Sequence, residues 1–525
     1  MALFLGFDSS TQSLSALVLE CAGGDRRIVF EHTLEFDREL PEYSTRNGVW
    51  RQSGSREVTS SPVMWADALD RMMALIADHR GIDLKAIAAI SGAAQQHGSV
   101  YLNQAAPAVW SHLNPAVPLA GQLAATFARA ESPVWMDEST TAQCAAIAVA
   151  LGGRQAVAAL TGSAPFERFT GPQIRKFSEQ DPAGYADTHR IHLVSSYLAS
   201  LLSGVDAPMD TGDGAGMNLM DIRKLRWAPA ALDAVAPDLR RRLPDVVPSW
   251  TPVATLSPYW RDRYGFPAAK VIAWTGDNPS ALVGLGLFDE GVLGASLGTS
   301  DTLFGASDEP RPTAEGSCHV FGAPSGGYMS LVCFRNGSLA REAVRNQYNF
   351  DWRAFSDALR ATPAGNNGGM MLPWFEPEIT PHVSLPGVHR EGLALEDGNA
   401  NVRAVVEAQM MAMANRAHLV SAKHVNRVLA TGGASVNPEI LQVMADVFEA
   451  EVVPVARGNA ACLGAALRAF HGFEQSEGRR VEWKDVHGAL GAIEGSPVRP
   501  VPAHAAVYRD LRNRYADFER RSVSG

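Results

Sequence analysis

The same short pattern opens both halves of this chain, and it limits the fold more than any other feature. Near the N-terminus the apolar run Ala2 to Phe7 and a second run, Leu14 to Glu20, flank the polar stretch Asp8-Ser9-Ser10-Thr11-Gln12-Ser13, which reads as a hairpin. In the second half, Gly291 to Leu297 leads through Gly298-Thr299-Ser300-Asp301 into another strand reaching Ala306. Two hairpins with turns of small hydroxyl residues predict a duplicated architecture whose turns face one another across a cleft. Backbone N–H groups and hydroxyls in such turns can take a phosphate, and Asp8 at a strand end can hold a hydrated divalent cation beside it. Taken alone, Asp8 is also explained by a plain Ser/Thr turn with a solvated carboxylate.

At 525 residues the chain is too long for one core, and 46% hydrophobic with 19% charged residues describes a globular protein with a large interior. The net charge of −10 leaves no basic surplus to neutralise a nucleic-acid backbone or an anionic membrane, although a small anion can still be bound locally by backbone amides. Five scattered cysteines, never in a CxxC spacing, argue against a disulfide framework or a zinc site and for a reducing cytoplasm. The N-terminus has an acid at position 8 and no basic segment, so it reads as a strand and not as a signal peptide. No apolar run reaches the roughly 18 residues of a spanning helix.

Strand and helix patterns alternate along the chain, which places it in the α/β class. A third strand is expected over Ile28 to Phe36, a helix over Pro62 to His79 behind a serine cap, and a strand over Ile87 to Ser91. Gln96 and His97 follow at a break, where an amide and an imidazole either contact a ligand or satisfy a turn. Pro133 to Asp137 reads as a short strand ending on an acid; Asp137 and Trp135 suit a sugar, but a cap and a core side chain explain them too. Arg168 lies between Phe166 and Phe169, as a clamp or a structural cation. Asp210 to Gly216 reads as a flexible acidic loop that is neither a P-loop nor an EF-hand. Five prolines between Pro244 and Pro267 mark the expected domain boundary, giving 1–265 and 266–525.

The second half restarts with a buried strand, Val271 to Trp274, that runs into Asp277, while Asn278 with Pro279 looks like a helix cap. Ala361 to Glu391, irregular and rich in Pro and Gly, is expected to be a surface insertion. Asn401 to Lys423 is a long helix whose methionines fill core. The strand Arg427 to Ala430 leads into Gly432-Gly433, then Asn437 and another helix, an arrangement that lets a ligand approach the backbone. Asn459 to Phe470, rich in small residues, is expected to pack under that glycine turn.

Seven segments in order resemble the FGGY carbohydrate kinases, relatives of actin and hexokinase: GFDSSTQ from Gly6, SGAAQQHGSVY from Ser91, PVWMDESTTAQC from Pro133, ERFTGPQI from Glu167, TGDNPSAL from Thr275, SLGTSDTLF from Ser296 and ATGGAS from Ala430. The resemblance implies two ribonuclease-H-like domains of the actin/hexokinase type with a cleft between them. It implies ATP-dependent phosphorylation of an open-chain ketose, D-xylulose on its 5-hydroxyl, with Mg²⁺ and with Asp277 as general base. Asp8, together with Asp277, would hold the metal. Ser10, Thr11, Gly298, Thr299 and Ser300 would surround the phosphates, and Trp352, Gly432, Gly433 and Asn437 would lie along the nucleotide. His97, Gln96, Arg168, Asp277, Asn278 and Asp137 would bind the sugar. Many members carry an arginine two residues after the aspartate of the Trp-x-Asp segment; here Glu138-Ser139 follows Asp137, which weakens that sugar contact. The alternatives are a kinase for ribulose, fuculose or glycerol, or a non-catalytic actin-like nucleotide switch; the partners implied are the sugar and ATP, with a homodimer compatible.

Overall fold

Two twisted sheets carry the chain, and each grows from one of the hairpins. The computed structural model describes residues 2–313, 315–455, 459–488 and 495–524. In the first sheet β1 (Ala2–Ser9) pairs antiparallel with β2 (Ser13–Ala22), and β2 with β3 (Asp25–Glu35). On its other side β1 lies parallel to β4 (Ile87–Ala94). β5 (Pro252–Thr255), β6 (Lys270–Ile272) and β7 (Thr275–Gly276) complete the order β5-β6-β4-β1-β2-β3, with β7 continuing beside β4. β1 is apolar at almost every position because a helix and a core layer cover its two faces, whereas β3 at the edge keeps charged side chains in solvent.

After α1 (Asp277–Gly284), the second sheet repeats the plan. β8 (Val292–Leu297) and β9 (Asp301–Ser307) form the hairpin; β10 (His319–Gly322) and β11 (Tyr328–Phe334) extend it beyond β9. β8 then runs parallel to β12 (Arg427–Thr431), and β12 parallel to β13 (Glu451–Pro454). Each hairpin's first strand thus has an antiparallel neighbour on one side and a parallel one on the other. That is the expected duplicated, two-domain α/β design. α2 (Gly398–Val420), capped by Asp397 accepting from the Ala400 N–H at 2.9 Å, is buried through most of its length behind this sheet, and its methionines are core. Among the described residues no single helix is long and apolar enough to cross a membrane.

Several expectations are corrected. β6 and β7 belong to the first sheet, so a division at 265/266 cuts through it; the chain passes to the second sheet between Gly284 and Val292. The helix α3 (Ala460–Ser476) does not pack under the glycine turn but returns to the first domain, against β1, β4 and α1. The α1–α3 crossing is close enough that a Cβ on Gly464 would stand 1.9 Å from the Ser280 carbonyl oxygen, so the small residues serve backbone contact. Asp210 to Gly216 is no flexible loop: Thr211–Ala215 is a fully buried helical turn, in which Ser195 Oγ donates to Asp213 at 2.5 Å and Ser249 to Asp210. Within the expected surface insertion, Met370–Trp374 is a buried strand against α2. Of the Pro133 to Asp137 run only Pro133 is strand, in the pair Ser132–Pro133, and Gly276, not Asn278, is the cap residue of α1.

Candidate active site

Strand register brings two carboxylates to one edge of the first sheet. Ala94 on β4 is flanked by Ser9 on β1 and Gly276 on β7, so Asp8, just before Ser9, and Asp277, just after Gly276, emerge side by side. This is the C-terminal end of parallel strands, where α/β sheets place ligands. Asp277 Oδ1 accepts from the Asn278 backbone N–H at 2.8 Å and its Nδ2 at 2.9 Å, and the same Nδ2 donates to Gln96 Oε1 at 3.1 Å. Asn278 therefore aims the carboxylate. Burial pushes Asp277 up to about 6 against the opposing pull of the Asn278 and Gln96 donors. Burial, and then the Asp277 charge, push Asp8 up to about 7. Asp8 Oδ1 is buried without a hydrogen-bond partner among the described residues. A cation beside these two groups would relieve both. Among the described residues no cluster of three or more His, Cys, Asp or Glu could cage a metal. A pair of carboxylates nevertheless suits Mg²⁺, which is held by one or two carboxylates together with substrate phosphates.

A cavity of about 440 Å³ opens beside Asp277, and it gathers Gln96, His97, Arg168 and Asn278 with Ser10 and Thr11 of the first turn and Ser300 of the second. His97 sits at φ 73° and donates Nδ1–H to the Gly216 carbonyl at 2.8 Å, which leaves Nε2 as an acceptor. Burial, helped by the neighbouring Arg168 charge, pulls His97 down to about 3, so the ring is neutral. The Arg168 guanidinium lies 4.4 Å over the Phe166 ring and is pulled below its ordinary value by burial; among the described residues no carboxylate pairs with it. It is a part-buried cation that lines the cavity. Trp135, on the rim, donates Nε1–H to Thr11 Oγ1 at 2.7 Å.

Asp137 does not join this group. Only 1% exposed, it accepts from the Val58 N–H at 3.1 Å, the Ser139 N–H at 2.9 Å and Gln173 Nε2 at 2.8 Å, so it braces the first domain and has no face toward a sugar. The next residue, Glu138, lines the cavity instead and meets Arg335 of the second domain at 3.3 Å. The second-domain wall, with His319, Phe321, Cys333 and Arg335, was not legible locally. His319, Phe321 and Cys333 sit in ordinary strands and Arg335 just after one, and only the assembly of both domains turns them toward the cavity.

The second turn and the glycine turn are also neighbours, because Ser296 on β8 pairs with Thr431 on β12. Gly432 holds φ 86°, and a Cβ there would come within 2.6 Å of the Leu297 carbonyl oxygen. Thr299 and Ser300 are exposed, while Gly298 accepts at its carbonyl from both Ser338 N–H and Oγ at 2.8 Å. Asp301, at the end of this turn, is fully paired with buried Arg341 at 2.8 and 3.0 Å. Asn437 caps the helix Pro438–Phe448 and donates Nδ2–H to Ser356 Oγ at 2.9 Å, which ties the glycine turn to the helix that begins at Trp352. Trp352 is 43% exposed with Arg345 4.5 Å over its ring. Trp352, Gly432, Gly433 and Asn437 thus share one open face of the second domain, outside the cavity.

Residues 130–284 match the N-terminal domain of the FGGY family of carbohydrate kinases, and residues 293–473 its C-terminal domain. The chain is similar to a xylulose kinase of Rattus norvegicus, 42% identical over 536 residues that cover 99% of this chain and 97% of the relative. It is 40% identical to xylulose kinase 2 of Arabidopsis thaliana, over 90% of this chain and 87% of that one. Among solved structures it superposes on a ligand-bound xylulose kinase from Lactobacillus acidophilus with a TM-score of 0.83 at 18% identity, covering 99% and 98% of the two chains. A gluconate kinase from the same species gives a TM-score of 0.84 at 18% identity, covering 100% and 99%.

Proposed function

The chain belongs to the FGGY family of carbohydrate kinases and is a phosphotransferase enzyme, and from that premise we propose that it transfers the γ-phosphoryl group of ATP to the 5-hydroxyl of D-xylulose. The observation that carries the site assignment is the meeting of Asp277 with Gln96, His97, Arg168 and Asn278 in one cavity whose rim holds both hydroxyl turns.

Asp277 is the general base. Its carboxyl, poised at about 6, is ionised at neutral pH yet basic enough to take the hydroxyl proton as the sugar oxygen attacks phosphorus and the bond to ADP breaks. Asn278 keeps the carboxylate aimed, and Arg168 and His97 hold the ketose through its oxygens. Ser10, Thr11 and the turn Gly298-Thr299-Ser300 offer donors to the phosphates, and the open face at Trp352, Gly432, Gly433 and Asn437 takes the nucleotide. Asp8 with Asp277 would hold Mg²⁺, which when bound supplies positive charge that offsets the phosphoryl oxygens. Approach of the two domains excludes water that would otherwise compete as acceptor.

A coupled ADP-release assay over D-xylulose, D-ribulose, L-fuculose, glycerol and gluconate tests the substrate. D-xylulose is expected to give the highest kcat/KM; no release above the sugar-free blank with D-xylulose, alongside turnover of another sugar, would overturn the assignment. Asp277→Asn is expected to lower kcat by about 10²–10⁴ with an unchanged melting temperature. Near-normal turnover in that variant would remove the base.

A further inference from the structure

The second domain puts into the sugar cavity a histidine that the assignment above leaves without a task. His319 opens β10, is 8% exposed and lines the same cavity as His97, Arg168 and Asp277. Its Nδ1 lies 3.2 Å from Ser163 Oγ, the one hydrogen bond of the ring among the described residues, so Nε2 has no protein partner there. Polar groups in a buried wall are ordinarily matched, and one left over in a cavity is matched by what the cavity binds.

Its position is fixed from both domains. The neighbouring Val320 N–H donates to the Gly162 carbonyl at 3.0 Å, and a Cβ on Gly162 would stand 2.5 Å from the Val320 carbonyl oxygen, so first-domain backbone lies directly on the edge of β10. The His319 ring meets Phe169 edge-on with centroids 5.4 Å apart, and His97 packs against the same phenyl ring at 4.8 Å. One aromatic ring therefore spaces two imidazoles, one from each domain, with the Arg168 guanidinium on the adjacent residue. That cation disfavours an imidazolium in either place, and burial keeps both rings neutral. His97 Nε2 is suited to accept from a hydroxyl, and His319 Nε2 to pair with a hydroxyl or, as the Nε2–H tautomer, a carbonyl; neither neutral ring suits a second charged group.

We propose that His319 is a specificity-determining sugar contact contributed by the second domain, pairing with a hydroxyl or carbonyl of the open-chain substrate that His97 and Arg168 hold from the first domain. The assignment rests on the cavity being the sugar site. A site built to hydrogen-bond an oxygen discriminates strongly against an analogue that lacks it, whereas apolar walls discriminate weakly.

The test uses the full-length protein with ATP. His319→Phe keeps the ring packing and removes the ring nitrogens; it is expected to raise KM for D-xylulose tenfold or more, with kcat changed less than threefold and KM for ATP unchanged. His319→Gln, which restores a polar atom, is expected to recover part of the loss, and Ser163→Ala, which only frees the ring, to raise the sugar KM severalfold. Among deoxy-D-xyluloses, one is expected to show the penalty in the wild-type protein and no further penalty in His319→Phe. If His319→Phe misfolds, the Gln and Ser163→Ala variants carry the same readings. An unchanged sugar KM in a folded variant would overturn the proposal, and so would a parallel rise in the KM for ATP or a fall in kcat alone. Failure of the wild-type protein to use D-xylulose while using another sugar would overturn the substrate assignment only, and the variants would then be read with that sugar.

Discussion

The two hairpin turns are built alike, yet their aspartates have opposite fates. Asp8, at the end of β1, has a buried oxygen with no partner among the described residues and a second carboxylate beside it, and its carboxyl is pushed up to about 7. Asp301, at the start of β9, is clamped by the Arg341 guanidinium through both oxygens, and Gln409 Oε1 also accepts from that guanidinium at 2.8 Å. One charge is balanced inside the protein by Arg341, and the other has no cationic partner among the described residues. A turn motif alone does not mark a site; the missing counter-charge does.

The largest effects should come from exchanging these roles. Asp301→Asn leaves Arg341 buried and unpaired and is expected to cost about 3–5 kcal/mol of stability, read by denaturant melts, while turnover per folded molecule changes little. Asp8→Asn is expected to lower kcat by about 10²–10³ and to leave stability equal or raised, because it removes a charge from a crowded pair. If the two variants behaved alike, the contrast would fail. A double replacement, Asp301→Leu with Arg341→Met, should recover most of the stability lost by Asp301→Asn, since an apolar pair of similar volume often matches a buried ion pair.

The pH dependence separates the two quantities further. The Asp8–Asp277 pair titrates as a unit with values of about 7 and about 6 in the free protein, against an ordinary 3.8. Raised carboxyls bind protons more tightly when folded, so their contribution to stability is full below about 3.8 and is lost as pH rises through about 7. Activity needs the ionised base and runs the other way, falling as pH drops through that window. Melting temperature and kcat/KM measured from pH 5 to 8 should move in opposite directions, and added Mg²⁺ should shift the activity limb toward acid. The smallest effect concerns the Glu138–Arg335 pair across the cleft, whose side chains are 49% and 34% exposed. Glu138→Gln is expected to raise the sugar KM by at most about fivefold, a difference that 0.5 M salt should erase, as for any screened surface pair.

The two-domain α/β plan was legible in sequence, and the strand breaks it marked at Gln96, His97 and Asp277 are residues the structure gathers at one cavity, whereas the boundary between the two sheets was misplaced. Asp8, Gln96, His97, Asp277 and Gly432 sit where a strand pattern breaks, and such breaks are visible locally because apolar runs stop at them. The fate of Asp137 was not visible: three amide groups from Val58, Ser139 and Gln173 use up its carboxylate, and two of them lie far away in the chain. Asp210 and Asp213 misled for the same reason, since glycines and acids read as solvated loop unless the serines that neutralise them, Ser249 and Ser195, are known to lie alongside. The proline-rich stretch before Phe266 looked like a linker, yet β5 and β6 use it to finish an existing sheet. His319 carries no local signal, because its meaning depends on a loop of the other domain. Contacts distant in sequence account for each of these differences.

The return of α3 to the first domain has a consequence for how the protein comes into being. Cys462 Sγ lies 3.3 Å from the Gly6 carbonyl oxygen, and Arg468 Nη1 donates to the Ala273 carbonyl at 2.8 Å, so residues near position 465 close a core begun at position 2. A ribosome therefore releases more than 450 residues before the first sheet can receive its covering helix. Until then the apolar side of β1 and β4 lacks its helix, and the emerging chain is exposed to aggregation over a long interval. The N-terminal sheet, first to be made, is among the last parts to be finished.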